Sequence, residues 1–216
     1  MGNTTIEWTN KVWNPVRGCS RVSEGCRNCY AEKIAARFSD PGQPFHLFAD
    51  RAKSGSKWTG KVGLVESALE LPLHWRKTAR IFVNSMSDLF HEALPDEAID
   101  RVFAVMALCP QHSFQCLSKR PERMRDYMMN AGPRVAALLY KDLETHLTWP
   151  PQNCWLGVSV EDQATADARI PLLLRTPAAK RFISYEPALG PLNLGDGCSL
   201  YNEDCILDWV IVGGES

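Results

Sequence analysis

The sequence has no long apolar run and no marked excess of charge of either sign. No stretch of about 18 apolar residues occurs among its 216 residues, which excludes an apolar transmembrane helix. The formal net charge is −1, which excludes a chain that coats nucleic acid through bulk positive charge. The first residues show no basic segment that leads into an apolar one, so we expect no secretory signal and a cytoplasmic protein.

The composition is that of an ordinary folded domain. Hydrophobic residues make up 45% and charged residues 23% of the chain, which excludes disordered and fibrous proteins. We expect one domain over residues 1–216. Eight cysteines without an export signal indicate a reducing compartment rather than a disulfide scaffold. We expect the five dispersed cysteines to be small core residues: Cys109, Cys116, Cys154, Cys198 and Cys205.

Short β-branched or aromatic runs alternate with helical periodicity along the chain. The runs predict strands at 80–84, 113–117, 154–160, 181–185 and 208–212, with a weaker candidate at 6–8. The periodicity predicts helices at 29–38, at 96–108, and at 163–174 with an interruption at Pro171. This alternation is typical of an α/β fold with a parallel sheet, and both a doubly wound sheet and a partial barrel fit it. Residues 40–61 lack periodicity, so we expect a lid or a solvated loop there.

Polar residues follow each predicted strand directly. Because ligands gather at the carboxyl ends of parallel strands, we expect these residues to surround a common mouth. Such a ring suits a ligand that carries an ammonium, a carboxylate and hydroxyl groups. The alternative is capping of helix N-termini, where Ser, Asp and Glu are also favoured. The residues are Ser85, Ser87 and Asp88; Ser118, Lys119 and Arg120; Glu161 and Asp162; Glu186; and the segment 213–216.

Three cysteines, Cys19, Cys26 and Cys29, fall within eleven residues. Structural zinc prefers four ligands, and iron–sulfur clusters are normally held by four cysteines. Three thiolates therefore favour a cluster with one iron left open to an exogenous ligand. The alternatives are structural zinc completed by His46, His91 or a distant cysteine, three metal-free thiols, and a redox pair of Cys26 and Cys29.

The segment around these cysteines resembles an uncharacterised, phage-associated family described by its three-cysteine motif, which is similar to radical S-adenosylmethionine (SAM) enzymes. The matching residues are Trp13-Asn14-Pro15, Gly18-Cys19, Gly25-Cys26 and Asn28-Cys29-Tyr30-Ala31. Further matches lie at 81–91, 117–121, 155–161, 184–187 and 210–216, so the resemblance spans nearly the whole chain. The usual radical SAM spacing is C-x3-C-x2-C with an aromatic residue before the last cysteine. Here the first gap is six residues and Tyr30 follows Cys29. Similar proteins continue with a further helix, so the resemblance implies truncation at the C-terminus.

The resemblance implies a partial (β/α)6-type barrel that binds a [4Fe-4S] cluster and SAM. Cys19, Cys26 and Cys29 would bind three irons, and SAM would chelate the fourth through its amino and carboxylate groups. One electron from the cluster would cleave SAM to a 5′-deoxyadenosyl radical, which would abstract hydrogen from an unknown substrate. A companion protein is a further expectation. The candidate SAM-binding residues are Asp88 for the amino group, Ser118 and Lys119 for the carboxylate or ribose, Glu161 and Glu186 for the ribose hydroxyls, and Tyr30 beside the cysteines.

A second hypothesis is a non-enzymatic, zinc-stabilised module that binds phage or host nucleic acid. The first 60 residues hold nine Lys or Arg against five Asp or Glu, with Trp8, Trp13, Tyr30 and Trp58 among them. Basic residues interleaved with aromatic ones can hold single-stranded nucleic acid by charge and stacking. The alternative is a solvated surface with a few aromatic residues in the core.

Overall fold

The computed structural model describes residue 4 and residues 6–52, 55–139, 147–195 and 207–213, which contain ten strands and six α-helices. The strands are β1 (Lys11–Trp13), β2 (Val16–Arg17), β3 (Ala49–Ala52), β4 (Gly55–Trp58), β5 (Gly63–Leu64), β6 (Arg80–Val83), β7 (Ser113–Ser118), β8 (Cys154–Val160), β9 (Lys180–Tyr185) and β10 (Trp209–Val212). The helices are α1 (Tyr30–Arg37), α2 (Glu66–Leu69), α3 (Asp96–Ala107), α4 (Pro121–Asn130), α5 (Gly132–Leu139) and α6 (Gln163–Leu174). Short 3-10 turns lie at Glu24–Cys26 and Leu71–His74.

Six strands form one parallel sheet whose order follows the chain: β1, β6, β7, β8, β9, β10. Right-handed crossovers between strands in this order place the connecting helices on one face of the sheet. A doubly wound sheet reverses its order at a switch point, so that alternative is excluded. The predicted α/β class with a parallel sheet is confirmed.

Alternate residues of the strands point to two different environments. Ile81 and Val83 of β6 belong to the main core under the helices, together with Phe114 and Cys116 of β7. Their neighbours, such as Leu117, line a cavity on the opposite face. This period of two is the physical reason why one face packs helices and the other holds a site.

The amino-terminal end of the cavity face is filled by aromatic side chains. The ring of Trp8 lies 4.7 Å from that of Phe82 and 6.1 Å from that of Trp209, centroid to centroid. Trp8 precedes β1 and Trp209 begins β10, so the segment before the first strand of the sheet contacts the last strand. Gly157 makes room for this packing, because a Cβ there would lie 2.6 Å from the Phe182 ring.

Several predicted elements differ from the observed ones. Residues 6–8 form no strand, and the first strand is β1, because the chain turns at 7–8 before it pairs with β6. The expected loop at 40–61 is wrong in part, since β3 and β4 form a hairpin. Its Ala49 and Trp58 pack against α1 in a second small core. Helix α6 runs through Pro171 without interruption, and the prediction missed α2, α4 and α5.

Three of the dispersed cysteines, Cys109, Cys116 and Cys154, are at most 1% exposed, as expected of core residues. Cys198 and Cys205 lie outside the described residues. Within the described ranges, no helix is long and apolar enough to cross a membrane.

Candidate metal and ligand site

A cavity of about 770 Å3 lies at the carboxyl ends of the parallel strands. Its wall includes the three clustered cysteines, Cys19, Cys26 and Cys29. Most of the predicted ligand-binding residues also line it: Tyr30, Asp88, Ser118, Lys119 and Glu186. The structure therefore brings together side chains that lie up to 167 positions apart in the sequence. Glu161 does not line the cavity itself but contacts Lys119, which does.

The cysteines lie on a loop that leads into α1. A 3-10 turn at Glu24–Cys26 bends the loop, and Cys29 is the residue before the first helical turn. All three thiols are free and half-buried. Burial raises the pKa of Cys19 to about 12, with a smaller contribution from Asp88, and burial also raises the pKa of Cys29. The thiols of Cys19 and Cys29 are therefore protonated at neutral pH, and metal binding has to release their protons.

The three thiols line the same cavity, but they do not lie close enough together to hold a metal ion. In the described part of the chain, no group of three or more His, Cys, Asp or Glu side chains is arranged to hold a metal ion. The donor set itself fits a cluster that is bound through three of its irons, since three soft thiolate donors face one cavity. Binding would require the loop to bring its sulfur atoms closer to one another.

Neither histidine named for a zinc site points to such a role. The amide of Ala93 donates to Nδ1 of His91, so Nε2 carries the proton and donates to Ser20 Oγ at 2.8 Å. Neither nitrogen of His91 is then free to bind a metal. Burial, followed by the charge of Arg120, lowers the pKa of His91, which keeps the ring neutral. His46 is exposed and does not line the cavity.

The carboxylate of Asp88 is saturated by protein donors. Its Oδ1 accepts from the Phe90 amide at 3.0 Å and from Ser118 Oγ at 2.8 Å. Its Oδ2 accepts from the Lys119 amide and from Arg120 Nη1, both at 3.1 Å. This arrangement ties the loop after β6 to the end of β7. The geometry favours a supporting role for Asp88 over direct contact with a ligand ammonium.

Glu161 makes a second anchor, on the other side of the cysteine loop. Its Oε1 accepts from Lys119 Nζ, from Arg169 Nη1 at 3.0 Å and from Ser23 Oγ at 2.9 Å. Burial of Glu161 disfavours its charged form, but Lys119 and Arg169 outweigh this and hold the pKa of its carboxyl below the usual value. The loop passes so close that a Cβ on Gly25 would lie 2.4 Å from Glu161 Cγ.

Several predicted strand-end residues thus hold the cysteine loop or cap a helix. Asp162 accepts from the Thr165 amide at 2.8 Å and caps α6, so the capping alternative is correct at this position. Sequence reasoning missed the roles of Ser20, Ser23 and Arg169. No local pattern marks these residues, because their partners lie at the ends of other strands.

Glu186 and Tyr30 both line the cavity, but they differ in how they are bonded to the rest of the protein. The carboxylate of Glu186 has no hydrogen bond or ion pair among the described residues, and it rests 3.1–3.3 Å from the position of a Cβ on Gly213. The phenol of Tyr30 donates to the Ser85 carbonyl at 2.6 Å. Burial raises the pKa of Tyr30 to about 12, so the phenol is neutral. Glu186 is therefore the strand-end acid best placed to meet a ligand.

Comparison with known proteins places the chain in a family. The profile of a family described as "Protein of unknown function (DUF5131)" matches residues 3–216. The chain belongs to DUF5131. No curated protein and no solved structure matches the chain. The family description names no activity or cofactor, so the resemblance to radical SAM enzymes and the phage association stay predictions.

In this member of DUF5131, the tryptophans predicted to stack on nucleic acid pack against other parts of the protein. Trp13 is 1% exposed and Trp58 is 6% exposed, so neither can present a ring face to a base. Trp8 packs against Phe82 and Trp209. Of the four aromatic residues, Tyr30 alone is exposed at the surface. Of the four, Tyr30 is then the one candidate for stacking on a base, so the nucleic-acid hypothesis depends mainly on charge.

Proposed function

We propose that this DUF5131 protein is a radical SAM-type enzyme that binds a [4Fe-4S] cluster through Cys19, Cys26 and Cys29. The observation that carries the proposal is the position of the three thiols. They belong to one short loop and line one cavity at the carboxyl ends of a six-stranded parallel sheet. Three protein thiolates leave one iron of such a cluster for an exogenous ligand.

The architecture we propose is a partial (β/α)6-type barrel. The sequential strand order supports it, and so does the contact between Trp8 before β1 and Trp209 at the start of β10. Ligands of parallel α/β folds bind at the carboxyl ends of the strands, which is where the cavity lies. Its volume of about 770 Å3 is within the range of cofactor and ligand pockets.

The bound cofactors would supply one-electron cleavage of the C5′–sulfur bond of SAM, which yields methionine and a 5′-deoxyadenosyl radical. The chain itself supplies placement and shielding. Since Glu186 has no partner for its carboxylate among the described residues, it would accept hydrogen bonds from the ribose hydroxyls or the ammonium of SAM. Lys119 Nζ donates to Ser159 Oγ and Glu161, and its third proton remains for a ligand carboxylate. Asp88 acts on the ligand indirectly, since protein donors occupy both of its carboxylate oxygens, and Glu161 does so because it does not line the cavity.

The cavity floor is suited to excluding water from a reactive centre. Apolar side chains line it beneath the polar rim, including Phe82, Leu117 and Ile211. A thiol-ligated cluster also needs a reducing environment, so we place the protein in the cytoplasm. The substrate and a companion protein are further parts of this proposal that carry no residue assignment.

The proposal is tested by reductive cleavage of SAM. Protein reconstituted with iron and sulfide without oxygen is mixed with dithionite and SAM, and 5′-deoxyadenosine and methionine are quantified. We expect both products from the wild type and from a Cys109→Ala control, whose cysteine lies in the main core, and neither from Cys26→Ala. An iron-loaded wild type that forms no 5′-deoxyadenosine would contradict the proposal. Protein that retains one zinc and no sulfide would support the zinc-stabilised binding module instead.

A further inference from the structure

A single buried arginine connects the cysteine loop to the ends of two strands. Arg120 is 4% exposed and immediately precedes α4. Its Nη1 donates to Asp88 Oδ2 at 3.1 Å, and its Nε donates to Glu92 Oε2 at 2.8 Å. Its Nη2 donates to both the carbonyl and the hydroxyl of Ser20, at 3.1 and 2.9 Å. All three guanidinium nitrogens are therefore used.

The contact with Ser20 reaches the cysteine cluster directly, because Ser20 follows Cys19 in the chain. The two hydrogen bonds from Nη2 fix both the backbone and the side chain of Ser20. His91 adds a second bond to the Ser20 hydroxyl. On the other side of Cys19, Gly18 forms a β-bridge with Ser87 in the loop after β6. Further along the loop, the hydroxyl of Ser23 donates to Glu161. Arg120 thus holds the residue directly after Cys19, while the Gly18–Ser87 bridge holds the residue directly before it.

We propose that Arg120 is a positioning residue that sets the place of Cys19 relative to Cys26 and Cys29. The proposal deepens the proposed function and rests on it only in treating Cys19 as a metal ligand. A planar guanidinium can donate to Asp88, Glu92 and Ser20 simultaneously, whereas a lysine ammonium is a point charge on a flexible stem. Lysine at this position keeps the positive charge beside Asp88 but loses the guanidinium nitrogen that donates to Ser20.

Cadmium(II) is a suitable probe, because thiolate-to-cadmium absorbance counts the bound thiolates without assembly of an iron–sulfur cluster. Its affinity is measured for Arg120→Lys in the wild-type background and in a Cys19→Ala background. Partners that orient metal ligands are worth about 10- to 100-fold in metal affinity. We expect a loss of that size in the wild-type background and a change below about twofold once Cys19 is absent, because the two positions act as one unit.

Two further variants complete the test. Arg123→Lys is the matched control, since Arg123 lies in the first turn of α4 and pairs with Asp96 of α3, and we expect it to leave the affinity unchanged. Ser20→Ala removes the hydroxyl that Arg120 bonds to, without leaving a buried charge. If Arg120→Lys does not fold, the cadmium affinity of Ser20→Ala in the wild-type and Cys19→Ala backgrounds tests the proposal instead.

The outcomes separate positioning from a general structural role. Equal losses in both backgrounds, or no loss in either, would overturn the proposal. A wild type without thiolate–cadmium absorbance would overturn it together with the proposed function. The expected cadmium pattern in a protein that assembles no iron–sulfur cluster would support the role of Arg120 and contradict the proposed function alone.

Discussion

Substitution of Glu161 by glutamine removes one negative charge from the anchor of the cysteine loop. Glu161 is 1% exposed, and its Oε1 is shared by Lys119, Arg169 and Ser23. The substitution leaves two largely buried cations, Lys119 at 20% and Arg169 at 9% side-chain exposure, without their counter-charge. We expect the metal-free variant to lose stability for this reason.

The size of the loss follows from burial. Breaking a buried ion pair by removing one partner costs about 3–5 kcal/mol. Domains of this size are stable by about 5–15 kcal/mol, so the variant keeps a folded state but unfolds at a clearly lower denaturant concentration. The measurement is urea unfolding of wild type and Glu161→Gln at pH 7, followed by circular dichroism.

The pH dependence provides a sharper test of the same reasoning. The pKa of Glu161 is lower in the folded protein than its ordinary value of 4.5. The ionised carboxylate therefore stabilises the fold fully above pH 4.5, and this stabilisation is lost as the pH falls through the folded-state pKa. The stability difference between wild type and Glu161→Gln shrinks in acid for this reason.

The matched control is Glu24→Gln, a carboxylate on the cysteine loop itself. The Glu24 side chain is 81% exposed and faces Arg27 at 3.7 Å, so its removal changes stability by at most about 0.5 kcal/mol. The reasoning is refuted if Glu161→Gln behaves like this control at pH 7. It is equally refuted if the difference from wild type persists undiminished at pH 3.

Two other substitutions probe the same supports. Gly25→Ala places a Cβ 2.4–2.6 Å from the Glu161 side chain, so we expect a loss of about 1–3 kcal/mol in denaturant unfolding. Gly63→Ala is its control, because a Cβ there meets its neighbours at 3.6 Å or more and should leave stability nearly unchanged. Asp88→Ala leaves Arg120 buried without its main partner, so we expect reduced stability and reduced metal content of the purified protein; a stable variant with full metal content and weakened SAM binding would instead favour direct contact with SAM.

Three of the predicted strands, β6, β7 and β8, have side chains buried on both faces, whereas β10 was predicted from its apolar residues although only one of its four is buried. The runs at 80–84, 113–117 and 154–160 are apolar because they lie between helices and the cavity floor. Strand β1 was not predictable, since it has three residues with one of them buried. The hairpin β3–β4 was also missed, because its burial comes from packing against α1, a tertiary contact that no local pattern encodes.

The place of the site could be predicted, and the partners of its residues could not. Parallel strands bring their carboxyl ends to one edge, so polar residues after each strand had to meet there. Asp88 could bind either a ligand or Arg120. Which of the two it binds depends on contacts between residues about 30 positions apart in the sequence. The bond from Arg120 to Ser20 spans 100 residues, and no local spacing encodes it.

The measurement that tests the account most directly is the iron and inorganic sulfide content of protein purified without oxygen, together with its visible absorption. It is made beside a variant with Cys19→Ala, Cys26→Ala and Cys29→Ala. The account predicts about four irons and four sulfides per chain in the wild type, a broad brown absorbance, and loss of all three signals in the variant. Zinc without sulfide, or iron and sulfide that persist in the triple variant, would contradict it.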